Sequence, residues 1–209
     1  MIDARVRIPR RRTLALALAF GLVVLGSAAW PPLPAQAPAS PAPTAAPERA
    51  RTVIVLRHAE KDPGGDPKDP GLSEAGARRA AALAELLAHA GVTHLFSSEY
   101  RRTHDTLAPL AARLGLTVQT VPAAKPEELL RALDQLPAGS VAVVAGHSNT
   151  VPDVVARLGG ELGGLVKSGT TSLLPDEAYD RLAVVTRPPE AARALAAPST
   201  VELRYGPAR

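Results

Sequence analysis

The stretch "VIVLRHAEKD", Val53 to Asp62, sets an apolar run directly against Arg57, His58, Glu60 and Lys61. Its first half, with Thr52 in "TVIVL", is short, β-branched and free of any helical period, which predicts a strand buried on both faces. Beyond the Pro/Gly-rich residues 62–71, "LSEAGARRAAALAELLAHAG" predicts a helix capped by Ser73 and stopped by Gly91. "THLFSS" predicts a second strand, "RRTHDTLAPLAARLG" a second helix, "LTVQTV" a short strand, and "KPEELLRALDQL" a third helix with Pro126 in its first turn. "GSVAVVAGHSN" predicts a strand that runs into a loop, followed by a helix from about Thr150 to Leu158. After a Gly-rich stretch, "RLAVVTR" and "TVELRY" predict the last strands. Strands that alternate with helices imply an α/β fold, a three-layer α/β/α sandwich around a mostly parallel sheet, with its crevice at the carboxyl ends of the strands.

The chain has 209 residues and is 46% hydrophobic, enough for one well-buried domain plus appendages. Its net charge of +4 lies entirely in residues 1–50, which hold six Arg against Asp3 and Glu48; the remainder carries 18 residues of each sign. A balanced domain with 3% aromatic residues offers little to a nucleic acid, and no such partner is expected. Arg5, Arg7 and Arg10 to Arg12 precede "TLALALAFGLVVLGSAA", so residues 1–30 are expected to be a signal peptide or an N-terminal membrane anchor. Contact with a membrane is expected only through this segment, if it is not cleaved. Residues 31–50, including "PPLPAQAPASPAPTAAP", have the composition of an extended tether, and the catalytic domain is expected over 51–209, outside the cytoplasm. With no Cys, neither disulfides, thiol chemistry nor Cys-ligated zinc enters.

Three strand ends carry chemistry. The first supplies Arg57 and His58, the second leads to Arg101 and Arg102, and the third supplies His147 in "GHSN". Two imidazoles and two guanidiniums converging on one crevice ask for an anion, and a phosphoryl group fits. Neutral imidazole attacks phosphorus without an activating base. Guanidinium forks position phosphate oxygens and stabilise the transferring group, while the second His donates to an oxygen. Ser148, Asn149 and the amides that start the following helix add donors, and Lys61 is a further phosphate-contact candidate.

"LRHAEK", "LSEAG", "SSEYRRTHDT" and "GHSNTVP" resemble the histidine phosphatase, or phosphoglycerate mutase-like, superfamily over residues 52 to about 186. The resemblance implies His58 as nucleophile with Arg57 beside it, Ala59 standing where Gly is usual. It places the second motif on Ser98, Arg102, Thr103 and Thr106, selecting Arg102 over Arg101, and the third on Gly146 and His147. It implies a metal-independent phosphoric monoester hydrolase without a cofactor, acting on a phosphorylated substrate through a covalent phosphohistidine. An exported chain without a large insertion favours phosphatase over mutase.

The family's general acid has no evident match: the residue after the second His is Ser148. Glu60, nearest in sequence to the nucleophile, is the candidate, with Asp62 and Glu127 behind it. If none serves, phosphorylated imidazoles and other good leaving groups are favoured. Three readings stand beside this one. A non-catalytic phosphate-binding or signalling domain of the same fold is supported by the missing acid. A serine esterase using Ser148 fits the strand–turn–helix context but lacks a later His. A metal hydrolase built on His58, Glu60 and His147 lacks tight ligand spacing. His89, His94 and His104 are read as surface or satisfied histidines, and "GGDPKDPG" as a turn-rich connector.

Overall fold

The computed structural model describes residues 48–206. The expected signal or anchor segment and most of the tether lie outside these residues. Strand β1 (Arg51–Arg57) takes the centre of a six-stranded sheet. Across the sheet the order is β3 (Val118–Thr120), β2 (His94–Ser97), β4 (Val141–Gly146), β1, β7 (Arg181–Arg187) and β8 (Ser199–Arg204). The first four are parallel; β7 runs antiparallel to β1, and β8 antiparallel to β7.

The lack of a period in "VIVL" has a direct cause, because both faces of β1 are covered. Val53 and Val55 pack with Phe96 and Val144 beneath α3 (Pro126–Asp134) and α4 (Thr150–Arg157). Ile54 and Leu56 pack with Leu95 and Val143 beneath α1 (Glu74–Leu87) and α2 (Arg101–Leu114). Each such side chain, fully buried, contributes about 1.5–3 kcal/mol, so the strand that delivers His58 is firmly anchored on both faces. The sandwich has the three layers expected.

Local signals set the helix that backs the site. Ser73 Oγ accepts from the Gly76 amide, capping α1, and donates to Glu60 O. Gly76 is required there: a Cβ would lie 2.2 Å from Glu60 O. The helix ends at Leu87, earlier than expected, with Gly91 (φ +68°) completing the exit. Two features depart from the sequence reading. The Gly-rich region leads into a separate hairpin, β5 (Val166–Ser168) with β6 (Thr171–Leu173), whose exposed residues give no buried alternation to read. The turn-rich residues 62–71 form a loop closed at its base, a tie that the sequence reading lacked: Lys61 bridges Leu72, and the Asp62 amide donates to Gly71 O at 2.9 Å. Among the described residues no helix is long and apolar enough to cross a membrane.

Candidate active site

Parallel pairing of β1 with β4 sets Arg57 opposite Gly146, and the His58 amide donates to Gly146 O at 2.9 Å. The two strands therefore release His58 and His147 side by side, ring centroids 5.4 Å apart at 63°. The residues of the motifs hold this junction. A Cβ on Gly146 would lie 2.7 Å from Thr150 Oγ1, the acceptor of the His147 amide. Ala59, wholly buried, donates its amide to Thr106 Oγ1 at 2.9 Å, and Thr106 donates in turn to Arg102 O. One hydroxyl on α2 thus ties the backbone after His58 to the backbone of Arg102.

Hydrogen bonds fix the protonation of both rings. His58 Nδ1 lies 2.8 Å from Ala59 O; a carbonyl only accepts, so Nδ1 carries the hydrogen and Nε2 keeps its lone pair. His147 is held the other way round. Arg102 donates to its Nδ1 at 3.4 Å, so Nε2 carries the hydrogen and donates to Ser98 Oγ at 3.0 Å, while Ser98 pairs with Thr103 Oγ1 at 2.8 Å. Burial pushes His58 down to about 3, with the charges of Arg57 and Arg102 acting in the same sense. His147 is pushed down to about 4, first by burial and then by Arg102. Both rings are neutral near pH 7, the form a nucleophilic nitrogen requires.

Arg57, 7% exposed, donates to Pro175 O and Asp176 O at 3.1 and 2.8 Å and stacks over Tyr179 at 4.2 Å. Its Nε–H is buried without a partner. Burial lowers its pKa, but a guanidinium remains charged at any working pH. Arg102 lies over Tyr100 at 4.3 Å, with Asp69 3.8 Å from its NH1. These groups open on a polar cleft of about 590 Å³ that Arg57, His58, Lys61, Arg102, His147, Ser148 and Asn149 all line. An apolar recess behind His147, walled by Phe96, Val121 and Leu129, adjoins it.

Glu60 is the correction. Its carboxylate takes three hydrogen bonds of 2.8–3.0 Å from Arg79, a side chain only 2% exposed. Glu60 is not on the cleft wall, and removing it would strand a buried guanidinium. Asp62 accepts from the Gly64 amide, and Glu127 pairs with Arg157; neither lines the cleft. Ser148 lines it, but the His147 ring is bound to Ser98, so the esterase pairing does not form. Lys68, Glu99 and Tyr100 on the cleft wall escaped the sequence reading: Lys68 arrives on the closed loop, and Glu99 and Tyr100 sit between recognised motif positions. So did Tyr179, which packs against Arg57 and His58 from 121 residues beyond His58 with no local signal.

Residues 53–125 match the model of the histidine phosphatase superfamily, branch 1. No curated protein matches the chain. Among solved structures, a candidate phosphohistidine phosphatase, SixA, from Nakamurella multipartitia is 24% identical, covering 76% of this chain and 98% of its own, with a TM-score of 0.51. A protein named Mycobacterial hydrolase 2 is 19% identical over 77% of this chain and 93% of its own, TM-score 0.54. A candidate alpha-ribazole-5'-P phosphatase from Escherichia coli is 16% identical over 65% and 90%, TM-score 0.50. At these identities the likeness is one of fold. Residues 53–125 are therefore similar to the histidine phosphatase superfamily, and the domain shares the α/β/α fold of these structures.

Proposed function

We propose that this chain is an exported phosphatase that hydrolyses phosphomonoesters or phosphohistidine-type substrates, without a metal or cofactor, through a covalent phosphohistidine on His58. The observation that carries the reading is the fixed tautomer of His58, whose bond to Ala59 O leaves the Nε2 lone pair free within a cleft walled by Arg57, Arg102 and His147. Nε2 attacks phosphorus, the P–O bond to the leaving group breaks, and water then attacks the phosphorus, breaking the N–P bond and releasing phosphate. Arg57 and Arg102 match the two charges of a phosphomonoester and its equatorial oxygens. Once phosphate draws Arg102 away, His147 has an Nδ1 free to re-form as a donor. Lys61 and Lys68, both on the cleft wall, add positive charge toward the leaving-group side. The basic leader followed by an apolar run supports export.

The test is turnover of a chromogenic phosphomonoester by the full chain in the presence of a chelator, with capture of an acid-labile phosphate on His58. Activity surviving His58→Ala sinks the mechanism. Loss of activity to chelator, or to Ser148→Ala alone, moves the reading to a metal hydrolase or a serine esterase. Phosphate binding without turnover on a broad substrate panel supports the binding domain instead. Export is checked by fractionating cells that express the chain with and without residues 1–30.

A further inference from the structure

An alkyl phosphate leaves as an alkoxide unless a proton meets it, and the carboxylate nearest the nucleophile in sequence is committed to Arg79. Among the described residues, the cleft shared by His58, His147, Arg57 and Arg102 has one carboxylate on its wall, that of Glu99. Two contacts define its place. Glu99 follows Ser98, the residue that takes the His147 Nε2 hydrogen, and its own Oε2 accepts from the Ala123 amide at 2.8 Å. Ala123 itself lines the cleft. One oxygen is therefore an anchor, and among the described residues Oε1 has no hydrogen-bond partner. The charge of Glu99 acts on His147 in the opposite sense to burial and Arg102, though less than either.

We propose that Glu99 is the proton donor to the leaving oxygen and the acceptor of the proton from the hydrolytic water. This rests on the phosphohistidine reading. In the first step the His58 N–P bond forms, the P–O bond to the leaving group breaks, and the Glu99 proton passes to the departing oxygen. In the second the water oxygen bonds to phosphorus, the N–P bond breaks, and the water's proton returns to Glu99. Nothing is left over, and no co-reactant is needed. The position differs from that of the family's usual acid, which follows the second Arg; Glu99 precedes Arg102.

The test is Glu99→Gln in the full chain, which keeps an oxygen for the Ala123 amide and so preserves the anchor. kcat/KM is measured on two substrates, glycerol phosphate with a poor leaving group and p-nitrophenyl phosphate with a good one. The expected result is a loss of roughly 10²–10⁴-fold on glycerol phosphate and a change of less than about threefold on p-nitrophenyl phosphate, with phosphohistidine accumulating on the second substrate because the water-activating base is gone. An equal loss on both substrates, no loss on either, or a wild-type chain that does not turn over glycerol phosphate overturns the proposal. His58→Ala reports separately: if it keeps p-nitrophenyl phosphatase activity, the phosphohistidine reading itself fails, whatever Glu99→Gln does.

Discussion

His58 and His147 end neighbouring parallel strands 5.4 Å apart, yet they are held by opposite means. His58 is fixed by the main chain: Ala59 O takes its Nδ1 hydrogen, and the Ala59 amide is itself tied to Thr106. His147 is fixed by side chains, Ser98 on one nitrogen and Arg102 on the other. A backbone carbonyl next in sequence cannot swing away, so His58 presents the same lone pair throughout a reaction. A guanidinium can swing, so His147 changes partners when an anion arrives. The difference matches what a nucleophile and an electrostatic partner each need.

Substitutions can break or sharpen that contrast. The largest effect is expected from His58→Ala, which should take activity to background while circular dichroism and melting show a folded chain. His147→Ala should follow, lowering kcat by roughly 10²–10³-fold, the usual cost of one donor to a transferring group, with residual phosphoenzyme still formed. Thr106→Val should be mainly structural: it leaves the buried Ala59 amide unpaired, costing about 1–3 kcal/mol, to be read from urea denaturation. Ser98→Ala removes the Nε2 partner of His147, and with it the bond to Thr103, so kcat should fall by about five- to tenfold, the worth of ~1 kcal/mol.

A pH dependence of stability is shared by both rings. Their folded values, about 3 and about 4, lie below the ~6.5 of an unfolded imidazole. Between those limits the unfolded chain binds more protons, so stability rises with pH: the contribution is complete above about pH 6.5 and is lost as pH falls through about 4 and about 3. Thermal melts between pH 7 and 4 should show this decline, and His147→Gln, which cannot protonate, should flatten part of it. A decline unchanged in that variant would assign the acid sensitivity to other groups.

The framework of this molecule was legible where its signals are local. An aperiodic apolar run can only be buried on two faces, and β1 is; Ser73 before "EAG" can only cap, and it does. The histidines and arginines were legible because strand ends in an α/β sheet converge by topology. What escaped was decided by partners far away in sequence. Glu60 stands two residues from His58, but Arg79 claims it from one turn into α1. Tyr179 reaches Arg57 from a loop with no pattern of its own, and Lys68 reaches the cleft because a loop read as a turn-rich connector is tied shut at its base.

That tie between Lys61 and Leu72 also makes the loop an interchangeable cassette. Because its two ends meet at the base, lengthening the segment adds only chain-closure entropy, about 0.6 kcal/mol for each doubling, and leaves the strand that carries His58 untouched. On the phosphatase reading, loops grafted between residues 62 and 71 would exchange the Lys68 side of the cleft while the side that holds His58, His147 and Arg102 stays constant.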